Sequence, residues 1–531
     1  MNAFAGTAAL LRLALRRDRV LIGVWLAVFV AMAAFSASAT VDLYPTLASR
    51  LEAAETLNRS QSLVALYGRV YDPTSLGAIA MIKLGGFGAG FVALLSIMLV
   101  VRHTRRDEEA GRTELVGATA AGRRAPLTAA LAEAALVNAA LAALTAAGLT
   151  ATGLPIDGSA AFGLAWGGVG LAFAAIAAVA AQVASTARGA KAVSLVVLAA
   201  VYVLRAVGDA ADETGPRWLS WLSPIGWGQQ FRPYAGNRFW VLAITLAFTA
   251  TVVAVSLAIV ARRDLGSGVL PDRPGPAQAS PRLATPLALA WRLHRGSLAG
   301  WAVGFALVGS LMGSLASQVG GFLTSEDARD LFAKLGGEKA VSDMFLSVEL
   351  AFAGIVAAAF GIHVVMRLHA EETEGRAEPV LATAVSRLRW AAGHLAVAAG
   401  GTMLLLAITG FAAGVAHGAA TGDLGQTWRV LAGALAQAPA AWVVVGIAVA
   451  AFGLAPRYSA LGWAALVAFV LLAEIGPLLE LSSWVMDLSP FAHAPKLPGG
   501  TVESAPLVSL VAVAVALAAA GLAGLRHRDV A

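Results

Sequence analysis

Cysteine is absent from the chain, which excludes disulfides, thiolate metal sites and cysteine nucleophiles and leaves the redox compartment open. Charge is scarce too: 13% of the 531 residues are Asp, Glu, Lys or Arg, 58% are hydrophobic, and the mean hydropathy is +0.75. A water-soluble surface cannot be assembled from that composition, so lipid must be the solvent for most of it. The motifs of nucleotide and hydrolytic chemistry are also missing. There is no G-x-x-x-x-G-K-[ST] loop to cradle phosphates, no H-E-x-x-H helix, no Ser/His/Asp set, and no cluster of His with carboxylates at metal-ligand spacing among the 8 scattered histidines.

What is present is length without polarity. Crossing about 30 Å of hydrocarbon takes about 20 helical residues. Runs of that kind occur near 20–41, 79–101, 127–150, 162–186, 190–208 and 239–261, and again near 298–318, 348–366, 391–417, 429–453, 459–480 and 505–525. The expected fold class is an all-α integral membrane protein of about twelve transmembrane helices in two homologous six-helix halves. Residues 1–264 form the first half and 287–531 the second. Between them 265–286 is a linker, rich in Gly and Pro (Pro271, Pro274, Pro276, Pro281, Pro286), that cannot continue as one helix. Met1 to Arg19 carries Arg12, Arg16, Arg17 and Arg19 and no cleavage site, and reads as an amphipathic lead-in helix.

The formal net charge of +6 is not laid out as a nucleic-acid surface, because the basic residues cluster at the ends of apolar runs. With the N-terminus inside, most of the 38 Lys and Arg residues fall on the cytoplasmic side, among them Arg102, Arg105, Arg106, Arg123, Arg124, Arg262, Arg263, Arg387, Arg389, Arg526 and Arg528. The positive-inside bias therefore predicts a multi-pass plasma-membrane protein with both termini cytoplasmic. The first external loop, about 42–78, is long enough for a short amphipathic helix, and 319–347 is its counterpart.

The two halves share landmarks. Arg16, Arg19, Trp25 and Phe29 match Arg292, Arg295, Trp301 and Phe305, and the tryptophans are expected to be interfacial anchors. Trp218, Leu222, Ser223 and Pro224 match Trp484, Leu488, Ser489 and Pro490, with each proline expected to end a short external helix. The third match is polar. Asp107, Glu108, Gly111, Arg112, Glu114, Val116, Ala118 and Thr119 correspond to Glu371, Glu372, Gly375, Arg376, Glu378, Val380, Ala382 and Thr383. An even number of spans per half makes the copies parallel, related by an axis along the membrane normal.

Charges inside the spans are few. Lys83, Arg205, Glu349, Glu474 and Glu480 are expected at the interface or snorkelling to it, and the near-equivalent depths of Lys83 and Glu349 suggest an inter-half charge pair. Gly85, Gly86, Gly88 and Gly90 lie in an apolar run, where they let helices pack closely.

The repeated acidic-Gly-Arg-Glu segment starts at the inner end of a span, where Gly111 and Gly375 allow the chain to turn along the membrane and present a small helix to a partner. Two copies of one docking element suit a two-fold partner. Here the sequence resembles the membrane subunits of ABC exporters of the type 2 permease class, whose loop between the second and third spans carries an acidic, Gly-containing, Glu-bearing coupling helix. The match rests on Glu108, Gly111, Arg112, Glu114 and the pair Arg123-Arg124, and on Glu372, Gly375, Arg376, Glu378, Ser386 and Arg387; the Pro that often precedes Ser-Arg in the family is missing from both copies. The fused twelve-span layout looks most like permeases of polyketide antibiotic exporters of the tetronasin type.

That resemblance implies a permease without an ATPase site or cofactor of its own, moving hydrophobic or amphiphilic compounds outward. A dimer of a separate ATP-binding cassette protein, holding ATP and Mg2+, would dock on Asp107, Glu108, Gly111, Arg112, Glu114 and Thr119 and on Glu371, Glu372, Gly375, Arg376, Glu378 and Thr383. The main alternative is a proton-coupled carrier of the major facilitator type, which shares the twelve-span parallel layout. The long first external loop, the acidic residues repeated in both copies and the poverty of membrane carboxylates stand against it.

Overall fold

The computed structural model describes the chain except for Met1, 212–214, 270–277, 279, 318–336, 476–481, 502 and 529–531. Among the described residues all regular structure is helical, and twelve helices are long and apolar enough to cross a membrane. In lipid only a helix can satisfy its own backbone within one segment, so each apolar run closes its own hydrogen bonds. The chain divides into two compact units, Met1–Gly275 and Pro276–Ala531.

In the first unit the spans are Thr7–Leu43, Leu76–Val101, Ala125–Ala151, Ile156–Val183, Ala187–Ala210 and Val241–Arg262. Hydroxyl caps start two of them: Ser75 accepts from the Ala78 amide and Thr186 from the Gly189 amide. The lead-in segment is not a separate helix. No glycine or proline interrupts Arg12 to Val20, so Thr7–Leu43 runs as one 37-residue helix into the first span. The loop after it folds into two helices, Leu47–Arg59 and Gln61–Tyr67, where the sequence pattern indicated one.

The second and fourth spans carry the core of this unit. The Trp166 ring lies 5.7 Å from Phe29 and 4.8 Å from Phe162, and its indole N–H donates to the Leu84 carbonyl at 3.1 Å. A Cβ on Gly88 would stand 2.6 Å from that ring, and one on Gly86 would stand 2.7 Å from Gln229; Gly85 and Gly90 have nothing within 4 Å. Close packing is thus the role of two of the four glycines. The Trp25 ring lies tilted against Phe29 at 5.3 Å, midway along its helix, and takes part in the helix packing.

The second unit holds Pro286–Ala316, Gly337–Thr373, Arg387–Thr421, a tenth span broken into Gln426–Leu435 and Ala438–Leu454, then Leu461–Ile475 and Ser504–His527. Thr285 caps the seventh span, with Pro286 in the first turn, where its missing N–H costs nothing. Trp301 packs on Phe305 at 6.3 Å and on Phe360 at 6.1 Å, again inside the bundle. A short helix stops just before each of Pro224 and Pro490, Arg217–Leu222 and Ser483–Met486, and each proline also opens the next turn. That turn begins Pro224–Gln230 in one case and is the short Pro490–His493 in the other, and the proline fits there for the same reason as Pro286.

Gly309 and Gly313 let the seventh span approach the backbone of the ninth: a Cβ on Gly313 would lie 2.1 Å from the Ala413 carbonyl oxygen, and one on Gly309 2.5 Å from that of Thr409. This is close packing by small residues four apart. Gly313→Leu forces the two backbones apart and is expected to destabilise the second unit by about 1–3 kcal/mol. A thermal melt of the detergent-solubilised chain checks it; an unchanged midpoint refutes the close contact.

Candidate functional site

The repeated polar motif sits at the end of the second span and again at the end of the eighth. After Val101 the second span continues through one π-helical turn, Arg102–Arg106, into Asp107–Glu109. Such turns recur at functional sites because they swing side chains out of helical register. Arg105 swings inward, is 1% exposed, and donates from Nε and Nη2 to the Ala181 carbonyl at 2.9 and 2.6 Å and from Nη1 to that of Ser267 at 3.1 Å. It thereby closes the free carbonyl end of the fourth span.

Gly111 then turns the chain at φ +70, and the helix Arg112–Gly117 follows. In the second unit Gly375 turns at the same φ of +70 ahead of Glu378–Leu381. Thr119 bonds back to the Val116 carbonyl and Thr383 to that of Val380, each at 2.6 Å. No atom lies within 4 Å of a Cβ placed on Gly111 or Gly375, so alanine there costs backbone strain alone, about 1–2 kcal/mol. Asparagine, which tolerates this conformation, is expected to restore most of the loss. Hydrogen exchange across residues 112–117 and 378–381 reads the effect.

The first two acidic residues of each copy face their own protein. Asp107 pairs with Arg17 at 2.9 Å and with Arg112 at 2.7 Å; Glu371 pairs with Arg376 at 3.3 Å and Arg367 at 3.5 Å. Burial opposes the charge on Arg376, but hydrogen bonds to Glu371 and Glu374 raise its pKa above the ordinary value. Glu108 accepts from the Arg263 guanidinium at 2.8 Å and the Gly266 amide at 2.6 Å, while Glu372 accepts both prongs of Arg528 at 2.5 and 2.6 Å. Arg263 and Arg528 each stand just past the last span of their unit. Arg123 and Arg387 complete the pattern, donating to the carbonyls of Arg263 and Arg528. In each unit one clamp therefore ties the motif to the end of the last span.

The remaining motif residues face outward. Glu114, Thr119, Glu378 and Thr383 are exposed, Arg112 and Arg376 half so, and Leu115 is 75% exposed beside Glu114. Among the described residues neither Glu114 nor Glu378 has an ion-pair partner in the chain. The motif thus divides into an anchoring set, Asp107, Glu108, Glu371 and Glu372 with their arginines, and an exposed set, Glu114, Thr119, Glu378 and Thr383. Sequence alone did not separate the two, because the partners of Glu108 and Glu372 lie 155 and 156 residues away. Glu109, outside the matched set, accepts from the Ala187 amide at 2.8 Å and anchors the start of the fifth span.

Arg205 does not reach out to solvent: it is 0% exposed within the first unit, 3.5 Å from Asp209, and bonded to the Leu66 carbonyl of the loop helix at 3.0 Å. Its ring neighbour Tyr202 donates to the same carbonyl at 2.7 Å. Asp209, one helical turn from Arg205, and Glu133, the one acidic residue of Ala125–Ala151, are buried carboxylates that the sequence reading passed over. Lys83 is exposed and Glu349 half-buried, each in its own unit. The side chain of Glu474 and the whole of Glu480 lie outside the described residues, as does the counterpart loop up to residue 336.

On the opposite side of the first unit the chain between Phe231 and Phe239 is strained, with positive φ at Arg232, Tyr234 and Asn237. Burial pushes the Tyr234 hydroxyl up to about 12, and it bonds Ser159 at 2.9 Å. The adjoining cavity, lined by Tyr67, Tyr71, Met81, Phe162, Trp166 and Arg232, holds about 50 Å³. That is far below the several hundred Å³ of a drug-sized pocket.

A profile for the C-terminal domain of the multidrug efflux system permease Rv1217c matches residues 283–526. The chain is 43% identical over 532 residues to the multidrug efflux system permease protein Rv1217c of Mycobacterium tuberculosis, covering 100% of this chain and 96% of that protein.

Proposed function

This chain belongs to the family of multidrug efflux system permeases, and on that premise we propose that it is the membrane subunit of an ATP-driven exporter of hydrophobic or amphiphilic compounds. A dimer of a separate ATP-binding cassette protein, which carries the ATP and Mg2+, docks on the exposed helices Arg112–Gly117 and Glu378–Leu381. The loop face and both termini are then cytoplasmic, in keeping with the basic residues gathered there. Polyketide antibiotics of the tetronasin kind are one fitting substrate class.

The observation that carries this reading is the duplicated clamp. A partner that moves either docking helix pulls directly on the second and third spans between which it lies. Through Glu108–Arg263 or Glu372–Arg528 it also pulls on the last span of that half. A loop that only connected two spans would not need a buried ion pair to a distant third. The chain supplies motion and a path, and hydrolysis belongs to the partner.

The test is to solubilise the chain from its native membrane, identify what copurifies, and assay ATPase and vesicle transport. A P-loop subunit whose ATPase is stimulated by drug, with ATP-dependent transport, supports the proposal. A chain that purifies alone and transports on a proton gradient overturns it in favour of the secondary carrier.

A further inference from the structure

Three helices of the first unit converge at the base of the motif. Asp18 lies on the first span, His103 in the π-helical turn after the second, and Glu133 two turns into the third. Asp18 is 1% exposed and Glu133 0%. Nε2 of His103 stands 2.8 Å from Asp18 Oδ2 and 3.3 Å from Glu133 Oε2. One imidazole nitrogen cannot serve two carboxylates, and neither oxygen of Glu133 has a hydrogen-bond partner. A buried, unpartnered carboxylate beside a second carboxylate is a strongly unfavourable arrangement unless a cation completes it.

The geometry is that of a cation site. One ligand atom from each of the three side chains lies within 4.8 Å of the other two. A tetrahedral ion with bonds of about 2.0–2.1 Å spaces its ligands about 3.3 Å apart, and one imidazole with two carboxylates is a donor set that divalent transition metals accept. The outer contacts suit such a site as well. Arg102 Nη2 is 3.1 Å from the other oxygen of Asp18, and His103 Nδ1 faces Asp107 Oδ2 at 3.7 Å, which orients the ring with Nε2 toward the two carboxylates. A proton on Glu133 would instead neutralise the pair without a metal, and is the competing arrangement.

We propose that Asp18, His103 and Glu133 bind one divalent transition-metal ion of the Zn2+ class. The ion fastens the first three spans together directly beneath the docking helix, and Asp107 links it to Arg17 and Arg112. Among the described residues the second unit has no such group. At the repeat positions stand His294, Arg367 and Val397, and His294 bonds His394 at 3.0 Å. The stoichiometry is therefore one ion per chain.

The test uses the full chain purified without a histidine tag, stripped with EDTA, re-equilibrated with Zn2+ and desalted, with bound metal measured by mass spectrometry. Wild type is expected to retain about one Zn2+ and to melt higher with Zn2+ than without, as a ligand bound by the folded state requires. Glu133→Gln and Asp18→Asn lose at least tenfold in affinity, and His394→Ala retains the ion. X-ray absorption on wild-type protein makes the test independent of any variant, and one nitrogen ligand among oxygens is expected. No retained metal, two or more imidazole ligands, or equal retention by Glu133→Gln overturns the site. Zn2+-independent stability that titrates near neutral pH would instead assign the cluster to a shared proton, and also overturns it.

Discussion

Replacing Glu114 and Glu378 together by arginine is expected, if the proposed docking holds, to abolish drug-stimulated ATPase activity and ATP-driven export while the chain still inserts and folds. Both carboxylates are exposed in the first turn of their docking helices, and among the described residues neither is paired within the chain, so no internal contact is lost. The folding cost is confined to an unfavourable charge at a helix start, about 0.3–1 kcal/mol at each position. For a partner surface built to meet two carboxylates, reversal replaces attraction by repulsion at both contacts, and like-charge contacts at an interface cost several kcal/mol. Export is expected to fall at least a hundredfold in the double variant and less in either single one. The readouts are copurification of the ATP-binding subunit, its stimulated ATPase, and drug efflux from cells. Full efflux by the double variant would remove the docking assignment and leave the family membership untouched.

Arg528→Glu has the second largest expected effect, on folding instead of coupling. Arg528 gives two parallel hydrogen bonds to Glu372, which is 4% exposed, and its guanidinium lies 5.0 Å over the Phe452 ring. Reversal leaves two carboxylates facing each other at a mostly buried position. Breaking such a pair costs about 3–5 kcal/mol, and the lower end applies because Arg528 is itself 17% exposed. The double exchange Glu372→Arg with Arg528→Glu restores opposite charges and is expected to recover more than half of the loss. Thermal unfolding of the four proteins gives the coupling energy directly. An additive double variant would show that the pair is not energetically linked. Arg263→Glu against Glu108 repeats the experiment in the first unit, at the 2.8 Å pair.

The clamp also explains why the motif is acidic in both copies. A loop that only displayed a docking face would need its exposed residues alone. Here the first acidic residue holds the motif arginine and the second holds the arginine beyond the last span, so the polar segment is internal framework and external surface at once.

The amino-acid sequence by itself determined the twelve apolar helices and the position of the two repeated Gly-turned polar segments. These are local properties: in lipid a run of about 20 apolar residues must bond its backbone internally, and a glycine at the right place suffices to turn the chain. Caps such as Ser75 and Thr186 lie within three residues of what they satisfy, so those span starts were readable to a few positions, whereas the first, seventh and eighth helices begin more than ten residues before their apolar runs. Local reading failed where a choice depended on a remote neighbour. Whether Glu108 faces a partner or its own chain is decided by Arg263, 155 residues away, and whether Arg205 snorkels is decided by the Leu66 carbonyl, 139 residues away. That the Trp301 ring also packs on Phe360 is likewise decided by a residue of another helix. Asp18, His103 and Glu133 follow no metal-binding spacing, because only the packing of three separate helices brings them within bonding reach of one point. Sequence specifies which segments cross the bilayer, since each crossing is balanced segment by segment. Only tertiary structure decides which of the few charges face one another, since pairing depends on distances that the chain order does not contain.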